Sequence, residues 1–115
     1  MSDLTKLSSL EELDDWMGRS RRQPVWVFKH SLTCPISAVA LEEFREFVID
    51  GGDVTGHALI EVQTARELSD ELARRTGVRH ESPQALLLRN DQAVWHASHS
   101  RIKADSLRRA SAGTA

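Results

Sequence analysis

Short apolar runs alternate with segments of helical periodicity along this chain of 115 residues, and that alternation constrains its fold more than any other feature. Each apolar run is too brief for a helix, so four strands are predicted, at residues 24–28, 58–62, 85–89 and 93–97. Helical patterns lie before, between and after these runs, at residues 8–17, 35–49, 64–77 and 105–109. The polar turn at residues 90–92 joins the last two runs into a predicted β-hairpin.

The only cysteine, Cys34, lies where the first apolar run gives way to a helical pattern. A helix N-terminus carries partial positive charge and unpaired N–H groups, both of which favour a thiolate over a thiol. A free cysteine is more often a buried small hydrophobe, but Cys34 lies between polar Thr33 and Ser37 and just before Pro35. Ser37 stands where a second cysteine would close a disulfide, so Cys34 must exchange with the sulfur of another molecule.

A proline precedes the third predicted strand, in the pair Ser82-Pro83. In thioredoxin-like proteins a cis-proline at this point faces the reactive cysteine. The alternative is a trans-proline that merely begins a strand, because most X–Pro bonds are trans. The presence of Cys34-Pro35 and Ser82-Pro83 in one chain favours the first interpretation.

The order of these elements predicts the class of fold. Strands separated by helices form parallel pairs, and the closing hairpin adds an antiparallel pair. We therefore predict one α/β domain over residues 1–115, thioredoxin-like, with a mixed four-stranded sheet covered by helices on both faces. Residues 111–115 are expected to form a flexible tail. Two helix starts have capping-box spacing, Ser8 with Glu11 and Thr64 with Glu67.

Composition excludes several functional classes. The formal net charge of −2 gives no reason to expect nucleic acid or an anionic membrane as a partner. No apolar run approaches the ~20 residues of a membrane span, and the N-terminus lacks the pattern of a signal peptide. One cysteine and no possible internal disulfide point to the reducing cytoplasm. The five histidines lack metal-ligand spacing, so no metal site is predicted.

The three tryptophans lie in apolar patterns and are predicted to be core residues: Trp16, Trp26 and Trp95.

Three motifs in order resemble the monothiol bacilliredoxins, small proteins of the bacillithiol system with a TCPIS active site: residues 28–37, 80–84 and 95–99. The resemblance implies a thioredoxin-like fold and removal of bacillithiol from proteins that carry it as a mixed disulfide. It implies that Cys34 is the nucleophile, with Thr33, Pro35, Ile36 and Ser37 as its motif neighbours, and that Pro83 is a cis-proline. The residues expected to bind the substrate are Thr33, Pro35, Ser37, Ser82 and Pro83. One departure is Ser100, where the family often has an aromatic residue.

The resemblance also implies partners. Bacillithiol is a co-substrate rather than a bound cofactor, client proteins carry it, and a disulfide reductase recycles it. The chain is expected to be a monomer, or a dimer linked through Cys34 on oxidation. Lys29, His30 or an arginine could hold the carboxylates of the small thiol. Three alternatives stay open. The first is glutaredoxin-like handling of glutathione. The second is a carrier of [2Fe–2S] clusters held by Cys34 and an external thiol from each of two subunits. The third is a thioredoxin-fold binding module with an inert cysteine.

Overall fold

The computed structural model describes residues 4–51 and 56–114. The strands are β1 (Thr5–Lys6), β2 (Val25–His30), β3 (Gly56–Glu61), β4 (Gln84–Arg89) and β5 (Gln92–Ser98). The helices are α1 (Leu10–Arg19), α2 (Pro35–Gly51), α3 (Arg66–Thr76) and α4 (Ala104–Thr114), and a 3₁₀ turn (His99–Arg101) precedes α4. No helix in these two ranges is long and apolar enough to cross a membrane.

The strands form one mixed sheet in the order β1-β3-β2-β4-β5. Strand β3 is parallel to both β1 and β2, whereas β4 is antiparallel to β2 and to β5. The predicted parallel pair and hairpin are confirmed. The predicted number of four strands is wrong, because within the described ranges the sheet has five. The fifth, β1, consists of Thr5 and Lys6 beside Ala58 and Leu59, and two exposed polar residues show no apolar pattern that would predict a strand.

Both faces of the sheet are covered by helices, as predicted. Along β2, successive side chains point to opposite faces. Val25 and Val27 pack with residues of α1 and α3 in one core cluster. Trp26 and Phe28 pack with residues of α2 and α4 in a second cluster. Because β2 is buried on both faces, it appears in the sequence as a continuous apolar run instead of an alternating one.

The start of α1 and the end of α4 differ from the predictions. The N-cap of α1 is Ser9 and not the predicted Ser8, because the Ser9 hydroxyl accepts a hydrogen bond from the Glu12 N–H at 3.2 Å. The Glu12 carboxylate in turn accepts one from the Ser8 N–H at 2.6 Å. At the other end of the chain, α4 continues to Thr114. The tail predicted at residues 111–115 is therefore helical through Thr114, and Ala115 lies outside the described residues.

The capping box predicted at α3 does not form. The helix begins at Arg66, and the preceding residue, Ala65, makes no side-chain cap hydrogen bond. The Thr64 hydroxyl instead donates to the backbone carbonyl and carboxylate oxygens of Glu61, at 3.4 Å each. The first turn of α3 therefore has no side-chain acceptor of the capping kind.

Candidate active site

Cys34 is the residue that immediately precedes α2. Its carbonyl oxygen accepts the first hydrogen bonds of the helix, from the N–H of Ser37 at 3.0 Å and the N–H of Ala38 at 3.2 Å. Pro35 is the first helical residue, a position that proline tolerates because its N–H would have no partner there. The Cys34 side chain is free and half-buried. The predicted junction of strand, cysteine and helix is confirmed, and it places the thiol at the positive end of a helix of 17 residues.

Ser37 fastens the end of β2 to the first turn of α2. Its side chain is fully buried. The hydroxyl oxygen accepts a hydrogen bond from the Ser31 N–H at 2.9 Å and lies 2.8 Å from Nδ1 of His30. The serine that replaces a second cysteine is therefore an anchor of the loop that carries Cys34.

Gln63, in the turn between β3 and α3, holds the same loop from its other side. Its amide oxygen accepts from the Leu32 N–H at 3.0 Å. Its amide nitrogen donates to the hydroxyls of Ser31 at 2.8 Å and Thr33 at 3.2 Å. The sequence analysis missed this residue. The one signal that could have found it is its position after β3, because the carboxyl ends of parallel neighbours β2 and β3 meet at the same edge of the sheet.

The Ser82–Pro83 peptide bond is cis, as predicted. Gln84 pairs with Lys29, so Pro83 lies beside the end of β2 that leads to Cys34. Pro83 is buried, and its carbonyl oxygen accepts a hydrogen bond from the His99 N–H at 3.1 Å. The Ser82 hydroxyl is buried and has no hydrogen-bond partner among the described residues.

The two basic residues before Cys34 lie on opposite faces of the sheet. His30 contacts Ser37 on the α2 side, and its pKa is lowered mainly by burial, against the opposing effect of Glu61. The lowered pKa favours the neutral form of His30. Lys29 is fully buried on the α3 side, where burial lowers its pKa to about 8 although the Asp70 carboxylate acts in the opposite direction.

Lys29 makes two contacts beneath the active-site end of the sheet. Its ammonium lies 3.4 Å from the carbonyl oxygen of Ser69 and 3.2 Å from Nδ1 of His80. The His80 pKa is lowered, first by burial and then by Lys29. Metal binding is not indicated by these contacts: no group of three or more His, Cys, Asp or Glu side chains in the described part of the chain is placed to hold a metal ion.

Three apolar side chains that lie within five residues of Cys34 in the sequence are exposed. Leu32, Ile36 and Val39 are 54%, 53% and 59% exposed. Ile36 and Val39 also line a shallow groove of about 310 Å³ that extends to Ile102 and Ser100. Contiguous exposed apolar side chains often mark a surface that another molecule covers. Ser100 also belongs to the wall of this groove.

Comparison with known proteins agrees with this geometry. The family model of the monothiol bacilliredoxin BrxC matches residues 5–107. The chain belongs to the monothiol bacilliredoxin family. This membership supports a redox function for the chain, of the thiol oxidoreductase kind.

The solved structures that resemble this bacilliredoxin have a thioredoxin fold. One, a thioredoxin-fold protein to which an oxidoreductase activity has been attributed, is 38% identical, with 94% of this chain and 93% of that chain covered and a TM-score of 0.84. The thioredoxin of Malassezia sympodialis is 16% identical, with coverage of 99% and 92% and a TM-score of 0.78. The thioredoxin of Fasciola hepatica is 11% identical, with coverage of 97% and 100% and a TM-score of 0.77. The last two show the fold alone.

Proposed function

We propose that this bacilliredoxin is a monothiol oxidoreductase that removes bacillithiol from protein mixed disulfides. The observation that carries the proposal is the setting of Cys34, a half-buried free thiol at the N-terminal end of α2. The residue three positions later is a buried serine whose hydroxyl is already engaged. Such a site can form a mixed disulfide with another molecule, but it has no second thiol of its own to resolve it.

The reaction takes place in two thiol–disulfide exchanges. The Cys34 thiolate attacks the bacillithiol sulfur of the mixed disulfide, so a Cys34–bacillithiol bond forms and the client leaves as a thiolate that takes up a proton. Free bacillithiol, as thiolate, then attacks the bacillithiol sulfur of that adduct. This step releases the Cys34 thiolate and bacillithiol disulfide, which a separate reductase returns to the thiol. Each step breaks one disulfide and forms one, so electrons balance.

The residues around Cys34 supply positioning. We propose that the backbone at Ser82 and Pro83 borders the bound disulfide, since this segment lies beside the end of β2. Thr33 and Pro35 flank the thiol, and Ser37 keeps their loop in place. The exposed apolar side chains of Leu32 and Ile36 suit contact with a client protein.

The cellular setting that we propose follows from the lone thiol. A single free cysteine suits the reducing cytoplasm, where thiols are kept reduced. The protein is proposed to act as a monomer with bacillithiol as co-substrate and without a resident cofactor, nucleic acid or membrane. Oxidation through Cys34 would link two copies.

The test is intact-mass spectrometry after incubation with a bacillithiol-modified client, with the glutathione-modified client in parallel. We expect an adduct of bacillithiol mass on the wild-type chain, release of reduced client, and neither change with Cys34→Ser. An adduct from the glutathione client alone would replace bacillithiol with glutathione as co-substrate. No adduct from either client would contradict the exchange reaction, and a visible chromophore in the purified protein would then favour the cluster carrier.

A further inference from the structure

A cavity of about 220 Å³ opens on the α3 side of the sheet, next to the loop that carries Cys34. It is lined by Val62, Gln63, Arg66, Ser69 and His80. Gln63 connects the cavity to the loop that carries Cys34, because its amide also binds the backbone and hydroxyls of residues 31–33. The cavity is therefore one side chain away from the thiol loop. It is smaller than the ~300–1,000 Å³ of pockets for drug-sized ligands, a size that suits one arm of a small molecule.

Four of the five described residues that line the cavity carry a side-chain hydrogen-bond donor, and none of the five carries a carboxylate. Arg66 contributes a guanidinium group with five N–H donors. The Ser69 hydroxyl is buried and has no hydrogen-bond partner among the described residues, although Ser69 lines the cavity. The two groups lie in the first turn of α3, whose N-terminus lacks a side-chain cap. Unpaired N–H groups at a helix N-terminus attract anions.

Lys29 adds a buried positive charge beneath this cavity. Its ammonium contacts two of the lining residues, the Ser69 carbonyl oxygen and His80 Nδ1. Since an ammonium has only donors, His80 must accept through Nδ1, and the ring proton is then on Nε2. His80 thus presents an N–H donor. Two carboxylates act on this cluster, Asp70 on Lys29 and His80, and Glu81 on His80, but both belong to exposed residues outside the cavity wall.

We propose that this cavity binds a carboxylate of the small thiol that Cys34 exchanges, with Arg66 and Ser69 as the principal contacts. The inference rests on the proposed function for the identity of the ligand. The lining residues Arg66, Ser69 and His80 carry a guanidinium, a hydroxyl and an imidazole N–H, and charge-assisted hydrogen bonds from such groups to a carboxylate are the strong ones. The sulfur of the small thiol would lie at Cys34 while its acidic arm reaches across Gln63 into the cavity. The carboxylate, not the sulfur, would then select the co-substrate.

The first experiment compares two client disulfides, one with bacillithiol and one with β-mercaptoethanol, which has no carboxylate. Arg66→Gln removes the charge, and Arg22→Gln, at an exposed residue of the turn before β2, is the matched control. We expect Arg66→Gln to raise the KM for the bacillithiol disulfide by about 10- to 100-fold, the range for losing a hydrogen bond to a charged group. The rate with the β-mercaptoethanol disulfide should be unchanged, and Arg22→Gln should behave as wild type. If Arg66→Gln slows exchange with both disulfides equally, or changes neither exchange rate, the proposal is overturned.

The second experiment separates the cavity from the thiol chemistry. The Cys34→Ser chain is titrated with sodium succinate, a simple dicarboxylate, while backbone amide NMR shifts are followed. We expect saturable shifts at residues 63–69 and at His80, and their loss when Arg66→Gln is added. An absence of saturable shifts, or shifts that persist with Arg66→Gln, would overturn the anion site. If wild type exchanges neither disulfide, the proposed function fails, and the titration still decides whether the cavity binds carboxylates.

Discussion

Replacement of Ser37 by alanine should destabilise the protein although it removes only one oxygen atom. The Ser37 hydroxyl is buried and accepts a hydrogen bond from the Ser31 N–H at 2.9 Å. In Ser37→Ala this N–H, in a buried residue, loses its acceptor, and an unpaired buried donor costs about 1–3 kcal/mol. The second contact, at 2.8 Å to Nδ1 of His30, costs less because His30 is only half-buried and water can replace the hydroxyl. We expect a total loss of about 1.5–3 kcal/mol.

Urea unfolding followed by tryptophan fluorescence measures this loss, because Trp16 and Trp26 are buried in the two core clusters. The midpoint should fall without a change in the m-value. In thermal unfolding, the same loss corresponds to a Tm lower by roughly 6–12 °C for a domain of this size. The matched control is Ser100→Ala, at an exposed serine, which should change stability by less than about 0.5 kcal/mol. If Ser37→Ala is as stable as Ser100→Ala, Ser37 does not anchor the loop.

Three further variants test other parts of the structure. Burial holds the pKa of Lys29 at about 8, below its ordinary 10.5. Between these pH values the unfolded chain therefore binds more protons than the folded chain. The free energy of unfolding should rise by up to about 3 kcal/mol from pH 8 to 10.5. Urea unfolding at several pH values in that range should show the rise in the wild type and not in Lys29→Met. The same pH dependence of stability in both proteins would contradict the prediction. Gly56→Ala would place a Cβ 2.6 Å from the Trp16 ring, so we expect a loss of about 1–3 kcal/mol in urea unfolding, and an unchanged midpoint would refute the overpacking. Gln63→Ala removes three hydrogen bonds to residues 31–33. Amide hydrogen exchange of Leu32 should accelerate by about tenfold, and an unaltered rate would mean that Gln63 does not restrain the loop.

The parts of the fold that were predicted correctly depend on local patterns. The apolar run of β2 is continuous because that strand is buried on both faces, and its end is marked by Cys34 and Pro35. The hairpin of β4 and β5 turns at Asn90 and Asp91, both with positive φ, which asparagine and aspartate tolerate better than most residues. Each of these features can be read within about ten residues of sequence.

Features that depend on contacts across the chain were not predicted. Strand β1 exists because Thr5 and Lys6 pair with β3, more than 50 residues later. The capping box predicted at α3 fails for a local reason: the Thr64 hydroxyl binds Glu61, the last residue of β3, and such a hydrogen bond competes with capping. A lysine is seldom fully buried, so the sequence gives no sign that Lys29 is. Its burial becomes evident only when Ser69 and His80, 40 and 51 residues away, are brought against it.

The loop before Cys34 shows how a site with one cysteine can be held rigid without a disulfide. Ser37 binds it from the helix that follows, and Gln63 binds it from the turn after the neighbouring parallel strand. Two independent elements therefore restrain residues 31–33, so the position of the thiol does not depend on a second sulfur. A cysteine at position 37 could form a disulfide with Cys34, but it would lack the hydroxyl that contacts Ser31 and His30. In this chain the serine therefore supplies a permanent restraint, and resolution of the mixed disulfide is left to a thiol from outside.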